Sequence, residues 1–372
     1  MSNYNTVYVG MDVHKESFSL CCFQIGDKQP SYPLKITADY KLVLKYIEKM
    51  HSIYGKETEF VCGYEAGCLG YTLYRQLTAR NIKCVILAPS TMLKDKKRVK
   101  TDKRDAGIIA KCLAFGTYSP VYIPSKEDEQ IKEFIRMRDD HVTALKRLKQ
   151  QISSFCLRLG YSYNETKTTW TIPHVQWLKK LDLEGVYKDT LTEYLLTFDY
   201  LTEKIKWLDE KIETFASKEE YCEKVKALSC FIGIKPQSAL ATIVEIGDFK
   251  RFPKAVQFAS YLGLVPGEFS SGDSQIKLGI TKAGNSHIRK LMVEAAQGYN
   301  RSSPLYKSKT MKARQKGCPP EIIAYADRAN DRLRRKYLRM VLGEGKRANV
   351  AKTAIARELA CFVWGVMTDH ID

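Results

Sequence analysis

The stretch YVGMDVHKESFSLCCF, residues 8–23, decides the fold. Val7, Val9, Met11 and Val13 alternate with other side chains in a β-branched run, and Ser17–Phe23 resumes the pattern after a short polar break. This period of two predicts the first hairpin of a mixed sheet. Inside it stands Asp12, and a carboxylate within an apolar strand is costly unless something offsets its charge, for which a divalent cation is the commonest partner. A lone aspartate facing solvent at a strand end is the more frequent arrangement. The case for a metal therefore rests on further carboxylates that the same sheet can bring near.

Working outward, residues 39–54 carry apolar side chains at helical spacing, and EFVCGYEAG, residues 59–67, predicts a strand that ends at Glu65 between Gly63 and Gly67. GYTLYRQLTARN reads as the following helix and KCVILAP as another strand, the alternation of an α/β fold. After Pro89 comes LKDKKRVKTDKRDAGIIAKCLAFG, in which Lys97, Arg98, Lys100, Lys103 and Arg104 surround Asp102 and Asp105. The two acids stand three apart at the head of a helix, so both project from one face, where the dipole favours negative charge. Helix capping with lysine pairing accounts for most such pairs. Together with Asp12 and Glu65, however, they form a set of hard oxygen ligands for two Mg²⁺ (or Mn²⁺) ions, roughly 3.5–4 Å apart in phosphoryl-transfer centres.

Composition supports a phosphate-bearing partner. The 372 residues hold 60 Lys and Arg against 42 Asp and Glu, a formal net charge of +18, and chain length suffices for two or three domains. The 11 cysteines contain no C-x-x-C pair, and adjacent Cys21 and Cys22 point to opposite faces of a strand, so neither zinc spacing nor a disulfide framework is legible. MSNYNTVYVG lacks a signal-peptide pattern and no apolar run approaches membrane-spanning length, so the expectation is a soluble, cytoplasmic protein.

Residues 125–160 contain no Gly or Pro before Gly160, and Ile131, Phe134, Ile135, Val142, Leu145, Leu148, Ile152 and Phe155 trace a stripe at helical spacing. This predicts a long helix, one arm of an antiparallel or intermolecular coiled coil, with residues 190–217 as a second arm. His141 and His174 read as structural or exposed rather than as ligands. KALSCFIGIKPQSALATIVEIGDFKRF has the form of a helix-hairpin-helix, with Gly233 and Pro236 in its turn. A basic, glycine-rich loop follows, containing Ser270 and Ser271, and then a helix carrying Arg289. Residues 301–352 place 15 cationic against 4 acidic side chains, +11 of the whole, with Arg334 and Arg335 among them. The final apolar helix, KTAIARELACFVWGVM, is expected to pack back on the core. The boundaries predicted are 1–124 for the α/β domain, 125–218 for the coiled coil and 219–372 for a mainly helical C-terminal domain.

GMDVHK, GYEA, TDKRDA, IGIKPQSALATIVEIGD, YLGLVPGEFSSG and GITKAGNSHIRKLM, in that order, resemble the transposases of the insertion sequence 110 family, the bridge-RNA-guided recombinases. The resemblance spans residues 7–365. It implies an N-terminal RNase H-like (RuvC-like resolvase) domain with metal ligands at Asp12, Glu65, Asp102 and Asp105. It further implies a coiled-coil linker and a C-terminal transposase domain whose catalytic serine falls on Ser271, with Ser270 directly before it. The partners implied are donor and target DNA, a structured guide (bridge) RNA, and further copies of the chain in a dimer or tetramer, in a bacterial or archaeal cytoplasm at the nucleoid. The mechanism is strand cleavage and rejoining through a phosphoserine intermediate, with Lys97, Arg98, Lys100, Lys103, Arg104, Lys282, Arg289, Arg334 and Arg335 as nucleic-acid contacts. The alternative is a metal-dependent junction endonuclease in which water attacks; a third reading is a nucleic-acid-binding protein without chemistry.

Overall fold

The computed structural model describes residues 6–92, 102–271, 274–300 and 307–371. By internal contacts the chain divides into two units, Met1–Ile123 and Pro124–Asp372. Lys97, Arg98 and Lys100 lie outside the described residues, as do the side chains of Ser270 and Ser271.

In the first unit, β1 (Thr6–Val13) and β2 (Ser17–Gln24) form the hairpin that the alternation predicts, with Val9 opposite Cys22. With β3 (Ser31–Thr37), β4 (Glu59–Glu65) and β5 (Lys83–Leu87) they build one sheet in the order β3-β2-β1-β4-β5. β2 is antiparallel to both neighbours, while β1, β4 and β5 run parallel. Period two then sorts side chains between two apolar layers. Val7, Val9, Met11, Cys22, Cys62 and Ile86 pack against α1 (Tyr40–Tyr54) and α2 (Thr72–Thr78). Cys21, Phe23 and Leu87 meet α3 (Asp102–Phe115) on the other face. Cys21 and Cys22 do face opposite ways. Asp39 caps α1 by accepting the amide of Lys41.

No strand is expected at Ser31–Thr37, where the structure places β3. Tyr32, Leu34 and Ile36 alternate with Ser31, Pro33, Lys35 and Thr37, but the strand is mostly exposed and Pro33 interrupts the run, which a sheet edge tolerates despite the missing N–H.

In the second unit, α4 (Lys126–Arg158) and α6 (Gly185–Ala216) are the long helices expected, with α5 (Ile172–Lys179) between them. They pack antiparallel: Phe134 near the start of α4 meets Phe215 near the end of α6, and Phe155 meets Tyr187 and Tyr194. Arg138 forks onto Asp209 at 2.7 and 3.2 Å, tying the pair together. His174 is structural, as expected: its Nδ1 accepts the Trp170 amide at 3.0 Å, and burial pushes its imidazole pKa down.

α7 (Glu219–Ser229) and α8 (Pro236–Ile246) follow, joined by a turn with Gly233 at φ +85° and Pro236 at the first helical position. Next come α9 (Ala255–Tyr261), β6 (Pro266–Ser271), β7 (Ser274–Ile280) and α10 (Ser286–Ala296). α11 (Lys309–Gln315), α12 (Pro320–Leu338) and α13 (Ala348–Met367) complete the unit. α13 buries Ile355, Leu359, Val363 and Trp364 in the shared core, as its composition predicts. The glycine-rich stretch read as a loop is instead a β-hairpin. Phe269, Ile276, Leu278 and Ile280 supply strand-forming side chains that the surrounding Gly, Ser and Lys mask.

Candidate active site

Asp12 lies on the face of β1 that α3 covers, two residues past Gly10. A side chain at Gly10 would overlap the carbonyl oxygen of Ala106 and the amide of Ala110, so the glycine lets the α3 backbone rest directly on the strand. That contact delivers the first turn of α3, with Asp102 and Asp105, to Asp12. On β4, Gly63 does the same for Leu113, whose methyl carbons would lie 2.8 Å from an added Cβ. Glu65, two residues on, therefore shares that face. It is the exposed last residue of β4, one step beyond the Met11–Tyr64 pair and beside the end of β1.

Oxygen and nitrogen atoms of Asp12, His14 and Asp102 all lie within 4.8 Å of one another. His14 Nε2 is 3.2 Å from Asp12 Oδ2, and Lys35 Nζ donates to Asp102 Oδ2 at 2.9 Å. The Asp12 side chain is only 15% exposed. Burial pushes its carboxyl pKa up, the charges of Asp105 and Asp102 push the same way, and His14 opposes them. The Lys35 ammonium holds the Asp102 carboxyl below its ordinary value. A half-buried carboxylate crowded by two others, with an imidazole beside it, fits a hard divalent cation by charge and donor type. Asp105 acts on Asp12 through its charge but stands outside the three-residue group, as does Glu65.

Sequence reasoning missed His14 and Lys35. His14 follows Asp12 by two residues, the spacing of a shared face. Lys35 has no local signal: the ladder pairs Asp12 with Ser19 and Ser19 with Lys35, so only the strand order reveals it.

Ser271 ends β6 and pairs with Ser274 across the hairpin tip, next to the Ser270–Gln275 pair. Lys103, Arg104 and Lys282 are exposed. Arg289 donates to two backbone carbonyls, Arg334 donates to the carbonyl of Tyr299 at 2.9 Å, and Arg335 pairs with Asp331 at 2.6 Å.

The mixed sheet with acids at the ends of β1, β4 and α3, followed by a helical body, makes the first unit a DEDD nuclease-like α/β domain. Residues 9–159 match the DEDD transposase model of the IS110 type, and residues 225–310 match the transposase IS116/IS110/IS902 family. The chain is 32% identical over 372 residues to a putative transposase, y4qE, of Sinorhizobium fredii (strain NBRC 101917 / NGR234), covering 98% of this chain and 90% of that protein. It is 30% identical to the transposase for insertion sequence element IS1533 of Leptospira borgpetersenii, over 89% of this chain and 95% of the relative. The transposase for insertion sequence element IS1111A of Coxiella burnetii (strain RSA 493 / Nine Mile phase I) is 23% identical over 78% of this chain and 76% of its own length. The chain thus belongs to the IS110 family of insertion-sequence transposases, enzymes that cleave and rejoin DNA. Among the described residues, no helix is long and apolar enough to cross a membrane.

Proposed function

We propose that this transposase exchanges DNA strands through a serine phosphodiester, with Ser271 as nucleophile and Asp12, Glu65, Asp102 and Asp105 as the acidic set. The observation that carries the reading is the delivery of the α3 N-terminus to Asp12 across Gly10, which gathers acids where their repulsion calls for a cation. Mg²⁺ or Mn²⁺ held by Asp12 and Asp102, with His14 within ligand distance and Asp105 and Glu65 near, would supply charge to offset that developing on the phosphoryl oxygens. The Ser271 hydroxyl attacks phosphorus, the scissile P–O bond breaks, and the departing strand takes the proton as a free hydroxyl end. Rejoining is the same exchange with the hydroxyl of another strand, so one phosphodiester replaces another and no ATP is consumed.

The wider assembly of this proposal is donor and target DNA, a structured guide RNA and a dimer or tetramer of the chain. The α4–α6 pair is its linker, and the α7–α8 turn contacts a phosphate of the DNA backbone. Support for polyanion binding comes from the net charge and from the cleft of about 490 Å³ lined by Arg332, Arg335, Lys336 and Arg339 with Asp331 and Glu358. If roughly six to ten phosphates are neutralised, affinity falls on the order of 10³–10⁵ between 50 and 200 mM salt. Sequencing the RNA that co-purifies with the protein tests the guide.

The deciding experiment is denaturing electrophoresis of labelled DNA bearing the element's ends, incubated with co-purified RNA and Mg²⁺. Wild type and Ser270→Ala leave DNA covalently on the protein; Ser271→Ala and Asp12→Ala do not. Cleavage to free ends by Ser271→Ala would establish water attack and overturn the serine reading.

A further inference from the structure

A two-stranded ribbon has little stability of its own, so the direction in which β6–β7 points is set where it joins the body. At that junction the ladder continues beyond the strands. The amide of Thr281 donates to Val265 at 3.0 Å, that of Lys282 to Gly263 at 3.1 Å, and that of Asn285 to Tyr261 at 3.1 Å. Two glycines permit the approach: a Cβ on Gly263 would overlap the Ala283 carbonyl, and one on Gly284 that of Tyr261, at φ +66° and +68°. Arg289, in the first turn of α10, closes the arrangement. Its Nη1 donates both to Leu262 O at 2.8 Å, on the leg entering β6, and to Ala283 O at 2.9 Å, on the leg leaving β7. The start of α10 is braced in turn. Asn285 caps it through the amide of Ile288 and donates to Glu245, which takes the bidentate guanidinium of Arg136.

We infer that Arg289 is a positioning residue that fixes the direction of the serine hairpin by pinning its two legs together, rather than a phosphate contact. The inference rests on the reading of Ser271 as nucleophile. β6 spans six residues, roughly 20 Å at about 3.3 Å per residue, so a tilt of about 5° at its base moves the tip by roughly 1.7 Å. A misplacement of about 1 Å can cost on the order of 10²-fold in rate. One nitrogen bridging two carbonyls is therefore placed where a small change is amplified. Arginine presents both protons of Nη1 in a fixed plane, whereas lysine ends in a flexible point charge that holds the two legs less rigidly.

The test uses the full chain with DNA bearing the element's ends, co-purified RNA and Mg²⁺. Arg289→Ala should slow covalent adduct formation about 100-fold, with Arg289→Lys between it and wild type. DNA affinity, and the slope of log affinity against log salt, should match wild type, while the amides of β6 and β7 exchange hydrogen faster. A phosphate contact gives the opposite pattern: weaker binding, a slope reduced by about one, and unchanged exchange. That result, or an adduct rate equal to wild type, overturns the inference. Gly284→Ala disturbs the same base without touching charge and should reproduce the slow rate and unchanged slope, which keeps the question open to measurement if Arg289→Ala does not fold. Ser271→Ala run alongside separates the two readings: an adduct in that variant removes the serine nucleophile, while the exchange data judge the pinning of the hairpin independently.

Discussion

Asp12 leaves a strand flanked on both sides by others and roofed by α3 in backbone contact, whereas Ser271 stands at the tip of a ribbon whose ladder partner is a single strand. The acids draw precision from the core of their unit. Gly10 cannot accept a side chain, so the distance between strand and helix is a packing constant, and the carboxylates inherit it. The hairpin draws precision from a few polar contacts at its base, which can open without unfolding the unit around them. The nucleophile proposed at Ser271, which must reach a phosphate and later release it, suits the second design. Ligands that must meet within fractions of an ångström suit the first.

The largest effect in this comparison comes from Asp12→Ala, which should lower strand cleavage at least about 10³-fold, in the range of losing one transition-state electrostatic partner or beyond. Folding survives, since the change relieves repulsion from Asp105 and Asp102. Thermal melting with and without Mg²⁺ checks it: wild type shows a metal-dependent rise and the variant does not. Equal rises in both proteins would exclude Asp12 as a ligand.

Gly10→Ala sharpens the contrast by attacking the scaffold instead. The new methyl group meets backbone on α3, so global stability should fall by about 3 kcal/mol, read from urea denaturation. Gly284→Ala, at the base of the hairpin, should change the same measurement by clearly less. If the two variants lose stability equally, the distinction between a core-held and a contact-held site collapses.

Glu245→Gln is next. The side chain is 4% exposed; burial acts to raise its pKa, but the guanidinium of Arg136, the amide of Asn285 and the charge of His287 outweigh it and hold it below its ordinary value. The folded protein thus binds this proton less readily than the unfolded chain. Its contribution is complete above the unfolded value of about 4.3 and disappears as pH falls through the lower folded value. Wild type should exceed the variant by about 2 kcal/mol at pH 7, the scale of a charged hydrogen bond. The gap should narrow as pH falls below about 4.3, and a constant gap would show that ionisation contributes nothing.

The smallest effect is expected from Lys35→Ala. The pair with Asp102 is exposed and screened, so the melting temperature should stay within a degree or two of wild type. A large loss would mean that the edge strand helps to hold the acidic corner.

The parts of this protein that follow a period were legible in its sequence. Alternation gave β1, β2 and β4, and helical spacing gave α1, α4 and α6, because each buries one face and writes that burial into the chain. β3 alternates too, through Tyr32, Leu34 and Ile36, but it buries little and carries Pro33, which argues against a strand anywhere except a sheet edge. The β6–β7 hairpin was obscured by its own turn residues. At the acidic corner, Asp12 could be found from its strand and Asp102 from its helix. His14 and Lys35 depend on cross-strand neighbours that exist only once the order of strands is known. The charge of Arg289 is plain in the sequence, but the two backbone carbonyls that its Nη1 meets are visible only in the fold, because a sequence shows the sign of a side chain and not the direction in which it points.

The eleven thiols have a practical consequence. Eight are buried and Cys222 and Cys361 are half-buried, which leaves Cys68 as the one exposed cysteine. It lies three residues past Glu65, where β4 ends. A maleimide dye under gentle, substoichiometric labelling should therefore attach there first, since the interior sulfurs are shielded and burial pushes Cys21 and Cys84 up to about 12. The native chain thus carries a fluorescence reporter position beside its acidic corner, and DNA arriving at that corner can be followed by quenching or anisotropy without an engineered cysteine.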